Sequence, residues 1–277
     1  MNKKIIIANW KMNSSFDEAQ IWVENFHQKL LEKNSKNLPE IVLCPPSIMI
    51  DHIDSFLIEN EFEEIEKLHR NVEQIEEKEL EKLIAELRII KLGGQDCSQH
   101  DQGAFTGDIS AKMLQDCGAW YIILGHSERR NHHAETSQVI AQKIIATVKQ
   151  NLTPVLCIGE SQEQRKSNNY KNFITEQLEQ SLPENLKIKN LIVAYEPVWS
   201  IGTGTTPTTI EIEEISTSIK NQLQKNKNIS EFKIVYGGSV NEKNAKNILD
   251  AKNIDGLLIG GASLDFKEFF KIIQICQ

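Results

Sequence analysis

The stretch Leu191-Ile-Val-Ala-Tyr195-Glu-Pro-Val-Trp199 contains an unbroken apolar run that leads directly into one carboxylate, Glu196. Apolar runs without alternation are typical of strands that are covered on both faces, as the strands of a parallel sheet are. Two glycines follow, Gly202 and Gly204, and they allow the backbone to turn where a side chain would obstruct it. A carboxylate before such a loop fits a base that must be shielded from water while it acts on carbon.

Similar runs recur along the chain and make eight in total. They are Lys4–Ala8, Ile41–Cys44, Ile89–Gly93, Tyr121–Gly125, Pro154–Gly159, Leu191–Tyr195, Lys233–Tyr236 and Gly256–Ile259. Helical patterns lie between them, among them Ser15–Leu31, Glu135–Lys149, Ser161–Leu182, Thr208–Gln224, Glu242–Leu249 and Asp265–Ile275. This alternation predicts a single α/β domain over residues 1–277, a (β/α)8 TIM barrel rather than an open doubly wound sheet. No Gly-x-Gly-x-x-Gly follows the first run, which argues against a dinucleotide site.

An acidic segment at about residues 60–88 interrupts this pattern between helix 2 and strand 3. From Glu59 to Arg88 the charges sum to −6, out of −8 for the chain, so the rest is close to neutral and gives no sign of a nucleic-acid partner. Its apolar residues include Ile65, Leu68, Val72 and Ile75. Their steps of three and four predict one long helix or a helical hairpin with a solvated acidic face. We expect an insertion on the bottom face of the barrel, and packing on a neighbour is favoured over binding a partner.

The sequence argues against a membrane or secreted protein. No apolar run approaches the ~18 residues of a membrane span, and the run that ends at Ala8 is shorter than a signal core of roughly 7–15 residues. Five scattered cysteines without a Cys-x-x-Cys pair indicate neither a disulfide framework nor a zinc site. We therefore expect a cytoplasmic protein with reduced thiols, and for Cys157 a buried structural role is favoured over a redox-sensitive one.

Polar residues and glycines follow five of the eight runs. They are Asn9-Trp-Lys11, Gly125-His-Ser-Glu-Arg129, Glu196, Tyr236-Gly-Gly-Ser239 and Gly260-Gly261. Taken singly, each has a structural explanation as a surface lysine, a core histidine or a turn. In a barrel all five fall at the carboxyl ends of strands, where active sites of this fold lie, so together they predict one catalytic site.

These strand ends lie in motifs that resemble the triosephosphate isomerase family over essentially the whole chain apart from the acidic segment. The motifs are Ala8-Asn-Trp-Lys-Met-Asn13, Gly103-Ala-Phe-Thr-Gly107, Ile123-Leu-Gly-His-Ser-Glu-Arg-Arg130, Cys157-Ile-Gly-Glu160, Ala194-Tyr-Glu-Pro-Val-Trp199, Ile201-Gly-Thr-Gly204, Tyr236-Gly-Gly-Ser-Val240 and Gly260-Gly-Ala-Ser-Leu264. The resemblance implies a glycolytic and gluconeogenic isomerase that interconverts dihydroxyacetone phosphate and D-glyceraldehyde 3-phosphate through an enediolate. It implies neither a cofactor nor a metal.

The resemblance also implies the catalytic groups. Glu196 corresponds to the proton acceptor, since one carboxylate can take a proton from one carbon and return it to the next. His126 corresponds to the electrophile that serves both oxygens, kept neutral by a helix that Ser127 would open. Lys11 corresponds to a fixed cation and Asn9 to an amide donor, both in contact with substrate.

Supporting groups follow from the same resemblance. Glu128 corresponds to the acidic partner of Lys11. Backbone N–H groups at four positions would bind the phosphate, because glycine allows close approach of the backbone and a short helix can direct its N-terminus at the anion. These positions are Gly202, Ser239, Gly260 and Gly261. Thr106 corresponds to a loop that reaches the Asn9 and Lys11 of a second subunit, which implies a homodimer.

Two residues of the loop after Glu196 depart from the family pattern. Thr205 replaces the usual lysine, and Pro207 replaces an alanine whose backbone N–H bonds the Tyr236 hydroxyl when the loop closes. Proline has no N–H, so closure here would rely more on phosphate contacts. Two other functions stay open: a non-catalytic phosphosugar-binding protein, and another phosphate-binding barrel enzyme such as a synthase or lyase.

Overall fold

In the computed structural model, eight parallel strands close into a barrel in sequence order, with β8 paired to β1. The structure describes residues 3–32, 38–68, 88–167, 169–200 and 206–276. The strands are β1 Ile5–Asn9, β2 Glu40–Cys44, β3 Ile90–Gly94, β4 Ala119–Leu124, β5 Thr153–Ile158, β6 Ile188–Tyr195, β7 Ile229–Tyr236 and β8 Gly256–Ile259. Each contains one of the eight apolar runs or overlaps most of it, so the predicted barrel is confirmed.

Ten α-helices lie in the described ranges, and most of them cover the strands from outside. They are α1 Phe16–Leu31, α2 Ile50–Leu68, α3 Ala111–Asp116, α4 Ser127–His132, α5 Ser137–Lys149, α6 Gln162–Lys166, α7 Tyr170–Ser181, α8 Thr209–Lys225, α9 Ala245–Leu249 and α10 Phe266–Ile275. Several long helices begin after a residue whose side chain caps the first turn. Ser15 caps α1 and Thr208 caps α8, each in a capping box with the glutamate three residues later. Nowhere in these ranges is a helix both long enough and apolar enough to cross a membrane.

Two helix predictions were wrong in extent. The predicted helix Ser161–Leu182 is two helices, α6 and α7, because the Ser167 hydroxyl bonds the Gln164 carbonyl and accepts the Asn169 N–H, which competes with a continuous helix. The predicted helix Glu242–Leu249 is only α9. Ahead of it the Asn241 side chain accepts the N–H groups of residues 243 and 244, which forms a turn instead.

Apolar side chains form two layers around the strands. An inner cluster fills the barrel with residues such as Ile5, Val42, Ile123 and Val155, while a larger outer cluster joins the other strand faces to the helices. Both faces of each strand are therefore buried, which explains the lack of alternation in the apolar runs. Cys157 belongs to the inner cluster, and burial raises the pKa of its thiol, as a structural role requires.

The acidic segment was predicted to start at about residue 60, but α2 runs through that point without a break to Leu68. Residues 69–87 of the segment lie outside the described part. Arg88, which precedes β3, is buried against α2, with Nε 2.7 Å from a Glu61 carboxylate oxygen and Nη1 2.6 Å from Asp54. Arg88, at the end of the segment, is thus joined by ion pairs to Glu61 near its start and to Asp54 ahead of it.

The amino-terminal end of the barrel holds a half-buried carboxylate that makes stability depend on pH. Glu40 accepts a hydrogen bond from the Tyr121 hydroxyl at 2.5 Å and lies 2.9 Å and 3.1 Å from the ammonium groups of Lys91 and Lys233. Burial alone would raise the pKa of Glu40, but these contacts outweigh it and lower the pKa from 4.5 to about 2. A lowered pKa in the folded state means that ionised Glu40 stabilises the fold above pH 4.5 and loses this effect as the pH falls toward 2.

We expect Glu40→Gln to lower the free energy of unfolding at neutral pH by about 2 kcal/mol, a discounted value since the site is partly exposed. The difference from wild type should shrink steadily below the ordinary carboxyl pKa. Urea unfolding at neutral pH and at about pH 3 measures both. Lys112→Met, which removes an exposed ion pair with Asp116, is the control and should change stability little. Equal stability of Glu40→Gln and wild type at neutral pH would contradict the prediction.

Candidate active site

Glu196 follows β6 at the carboxyl end of the barrel and is almost fully buried, with 2% of its surface exposed. Its Oε2 accepts the backbone N–H of Ser127 at 3.1 Å. Glycines on both neighbouring strand ends make room for it. A Cβ on Gly159 would lie 1.7 Å from the Glu196 carbonyl oxygen, and a Cβ on Gly237 would lie 2.9 Å from its Cγ. The sequence around three strand ends thus fixes one carboxylate in place.

His126 faces this carboxylate, with Nε2 3.3 Å from Glu196 Oε1. As the sequence predicted, a helix begins at Ser127, and His126 is its N-cap residue. The His126 Nδ1 accepts the backbone N–H of Glu128 at 3.2 Å. Because Nδ1 acts as an acceptor in this contact, Nε2 is the ring nitrogen that can serve as the donor to a ligand.

Lys11 is held beside the two groups by an unusual backbone conformation and by three contacts, and Gly260 leaves room for its side chain. Its φ of 54° lies in the left-handed region, which costs a residue with a side chain of order 1–3 kcal/mol. Its N–H donates to Asn9 Oδ1 at 3.1 Å, and its carbonyl accepts from Gln95 Nε2 at 2.8 Å. Its Nζ lies 2.5 Å from Glu128 Oε1, and its Cε would lie 3.4 Å from a Cβ on Gly260. Burial would raise the pKa of Glu128, but Lys11 and neighbouring groups lower it, so the pair stays ionised.

Gln95 is a supporting residue that the sequence analysis missed. Its amide joins two strand ends, because Nε2 also donates to the Cys44 carbonyl at 2.9 Å. Gln95 follows β3 directly, so the rule that places functional residues after strand ends could have identified it.

A cavity of about 380 Å³ brings most of the predicted site residues together. Those that line it are Asn9, Lys11, His126, Glu196, Ser239, Gly260 and Gly261. The Ser239 hydroxyl donates to the Ser200 carbonyl at 2.6 Å, which ties the loop after β7 to the segment after β6. Ser127 supports Glu196 from outside the cavity lining. Gly202, together with residue 205, lies outside the described residues.

Two predicted features lie elsewhere. Thr106 is exposed on the loop between β3 and α3 and does not line this cavity. The Tyr236 hydroxyl is buried beside Gly238 and the Ser200 hydroxyl, and burial raises its pKa. Pro207 is also buried. How the loop closes without a proline N–H stays a prediction.

The site combines a carboxylate, an imidazole and an ammonium group around a space that fits a small molecule. Within the described ranges, no group of three or more His, Cys, Asp or Glu side chains is placed to hold a metal ion. A fixed base opposite a fixed proton donor suits proton transfer at carbon next to a carbonyl. The fold and the site therefore define a (β/α)8-barrel enzyme of acid–base chemistry, of the isomerase class.

The chain belongs to the triosephosphate isomerase family, whose family model matches residues 4–78 and 68–276. It is 37% identical over 284 aligned positions to the triosephosphate isomerase of Shewanella sp. (strain MR-4), covering 100% of this chain and 98% of the relative. The enzyme of Shewanella denitrificans is 36% identical with the same coverage. The crystal structure of triosephosphate isomerase from Bartonella henselae superposes with a TM-score of 0.76 at 30% identity, over 99% of this chain and 98% of that one.

Proposed function

We propose that Glu196, His126, Lys11 and Asn9 interconvert dihydroxyacetone phosphate and D-glyceraldehyde 3-phosphate through an enediolate. The observation that carries this proposal is the 3.3 Å separation of Glu196 Oε1 and His126 Nε2 in one small cavity at the barrel mouth. A three-carbon substrate that lies alongside this pair in the cavity presents a carbon to the base and an oxygen to the donor. No cofactor is needed, because the reaction only moves protons and one carbonyl.

Glu196 takes the proton from the carbon next to the carbonyl. The electrons of the broken C–H bond form the carbon–carbon double bond of the enediolate, and the carbonyl oxygen takes up the negative charge. The same carboxyl then returns a proton to the neighbouring carbon, which moves the carbonyl by one position. The Ser127 N–H keeps the carboxylate oriented during both steps.

His126 acts on the two oxygens of the intermediate. Its Nε2–H gives a proton to the developing oxyanion and Nε2 takes up the hydroxyl proton of the other oxygen, while its Nδ1 remains bonded to the Glu128 N–H. Lys11 and the Asn9 amide add a fixed positive charge and a donor on the same side. Backbone N–H groups at Gly202, Ser239, Gly260 and Gly261 would hold the phosphate, so a group remote from the chemistry positions the reacting carbons.

We extend the proposal to the domain organisation and the location of the protein. Residues 1–277 would form a single domain, with an acidic insertion on its bottom face within about residues 60–88. The two family-model matches meet at residues 68–78, inside that segment, which supports an insertion there. A cytoplasmic location is supported by the five cysteines, which are all free thiols.

A coupled assay tests the function directly. Purified protein with glyceraldehyde 3-phosphate should form dihydroxyacetone phosphate, detected by a reductase that consumes NADH, without added metal or cofactor. Absence of turnover, together with retained binding of triose phosphate, would favour the non-catalytic phosphosugar-binding protein instead.

We also place the active unit as a homodimer, with the Thr106 loop of each subunit beside Lys11 of the other. A second cavity of about 510 Å³ adjoins the active site and is lined by Lys11, Met12 and Gln95. Large apolar side chains are exposed around it, notably Met12 at 95% and Phe105 at 42%. Exposed apolar groups that rim a polar cavity next to an active site mark a surface for a partner subunit.

Thr106→Arg should break this dimer, because a long cation cannot enter the cavity beside Lys11. We expect a monomer by sedimentation and a loss of kcat of roughly 10²-fold, since Lys11 loses its support. The control is Ser230→Arg, which adds the same side chain at an exposed position on the amino-terminal end of β7. A Thr106→Arg protein that stays dimeric and fully active would contradict the placement of the loop.

A further inference from the structure

A buried arginine lies outside the cavity but close to the segment that carries the base. Arg165 is in α6, and only 14% of its side chain is exposed. Its guanidinium contacts two carboxylates, Glu160 and Glu211, and lies 4.1 Å from the centre of the Tyr170 ring. None of these residues has a role in the chemistry proposed above.

Glu160 connects Arg165 to both sides of the catalytic carboxylate. It is fully buried, and its Oε1 accepts from Trp199 Nε1 at 2.9 Å and from the Tyr195 hydroxyl at 3.2 Å. Its backbone carbonyl accepts the N–H of Val198 at 3.0 Å. Tyr195 immediately precedes Glu196 and Trp199 follows it by three residues. One carboxyl group therefore fixes the segment on both sides of the base.

The second contact of Arg165 reaches the start of α8. Its Nη2 bonds Glu211 Oε1, while Glu211 Oε2 accepts the N–H and hydroxyl of Thr208, each at 2.8 Å, in the capping box of this helix. The guanidinium also lies 5.6 Å from the centre of the Trp199 ring. A planar fork is suited to two carboxylates and an aromatic face at once, whereas a lysine ammonium is a single point charge.

The charge of Arg165 matters as well as its shape. Burial raises the pKa of Glu160, and the arginine is the cation that opposes this change, with hydrogen bonds from Trp199 and Tyr195 acting in the same direction. Removal of one partner from a buried ion pair leaves the other without compensation, so its surroundings rearrange. The groups bonded to Glu160 are those that flank Glu196.

We propose that Arg165 is a positioning residue for Glu196 and acts through Glu160. Arg165 determines the position of the Glu196 carboxylate relative to the substrate carbon but does not contact the substrate itself. This inference rests on the proposed function of Glu196 as the base. A shifted base slows proton removal from carbon, while the phosphate contacts assigned to Ser239, Gly260 and Gly261, in the loops after β7 and β8, stay intact.

Arg165→Gln is the test variant. We expect kcat to fall roughly tenfold with KM within about twofold, since a small displacement of a base is enough for such a loss. The deuterium isotope effect on kcat, measured with carbon-deuterated dihydroxyacetone phosphate, should rise above that of wild type. A lower fraction of folded enzyme would reduce kcat without changing the isotope effect, so the rise in the isotope effect separates positioning from folding.

Lys171→Met is the matched control. Lys171, in α7, pairs with Glu214 on the same helix as Glu211, but both partners are nearly half exposed and neither contacts Glu160. Its kcat and isotope effect should equal those of wild type. If Arg165→Gln behaves like this control, the proposal is wrong.

A double-mutant cycle tests the route through Glu160. If Arg165 acts through this carboxyl, Arg165→Gln combined with Glu160→Gln should be about as active as the more impaired single variant. Losses that multiply would overturn the route. If Arg165→Gln does not fold, Arg165→Lys takes its place as the test variant. A kcat of Arg165→Lys equal to that of wild type would refute the need for the planar guanidinium group. A wild-type protein without isomerase activity would refute the proposed function instead of this inference.

Discussion

Replacing Glu196 with glutamine should lower kcat by about 10³-fold, while KM changes by no more than roughly threefold. Glutamine has nearly the same shape and can still accept the Ser127 N–H through its amide oxygen, so the cavity is expected to persist. It has no basic oxygen that can take a proton from carbon. The loss is therefore confined to the chemical step, and the coupled assay measures it directly.

Glu196→Asp separates the presence of the base from its position. The aspartate remains basic but is shorter by one methylene, which moves the carboxylate away from the substrate carbon and from His126 Nε2. We expect an intermediate loss of about 10²-fold, because a displacement of this order disturbs a near-attack geometry. If aspartate and glutamine variants lose equally little, the base is another residue.

Glu163→Gln is the control for both substitutions. Glu163 lies on α6 and is exposed, so the same change of charge there should leave kcat and KM as in wild type. Circular dichroism and thermal unfolding of all three variants show whether the fold is kept. A Glu196→Gln protein with more than about a tenth of wild-type kcat would contradict the assignment of this residue as the base.

The sequence predicted the architecture because each strand can be recognised from its own apolar run and from the residues that directly follow it. Unbroken apolar runs identify strands covered on both faces, and the residue after each run is placed at the barrel mouth by topology alone. This rule located Glu196, His126 and Lys11 without coordinates. The resemblance to the triosephosphate isomerase family, rather than this rule, implied the helix that starts at Ser127.

What the sequence could not predict depends on side chains that are far apart along the chain. The contact of Arg165 with Glu211 joins two different helices. The hydrogen bond from Gln95 to the Lys11 carbonyl forms only because the ends of β2 and β3 lie beside Lys11. The break between α6 and α7 was missed because a helical pattern continues across it, whereas local Ser167 bonds end the first helix. Such features follow from packing and from competing hydrogen bonds rather than from periodicity.

His126→Gln should lower kcat by about 10²-fold, by a different cause from the loss in Glu196→Gln. The glutamine amide can still donate toward an oxygen of the intermediate, but it cannot pass a proton between the two oxygens as an imidazole can. Glu196 is intact in this variant, so proton removal from carbon continues. Proton exchange between the two oxygens of the enediolate should then become the rate-limiting step.

Solvent deuterium distinguishes the two causes. In D2O, a longer-lived enediolate gives Glu196 time to exchange its proton with solvent and to return deuterium to the original carbon. In His126→Gln, unreacted substrate should therefore gain deuterium faster than product forms. Glu196→Gln should show neither exchange nor product. His132→Gln, an exposed histidine on the same helix, should behave as wild type. Substrate without deuterium in His126→Gln would mean that the histidine is needed for proton removal itself, and would place its donor bond to the carbonyl oxygen before the carbon–hydrogen bond breaks.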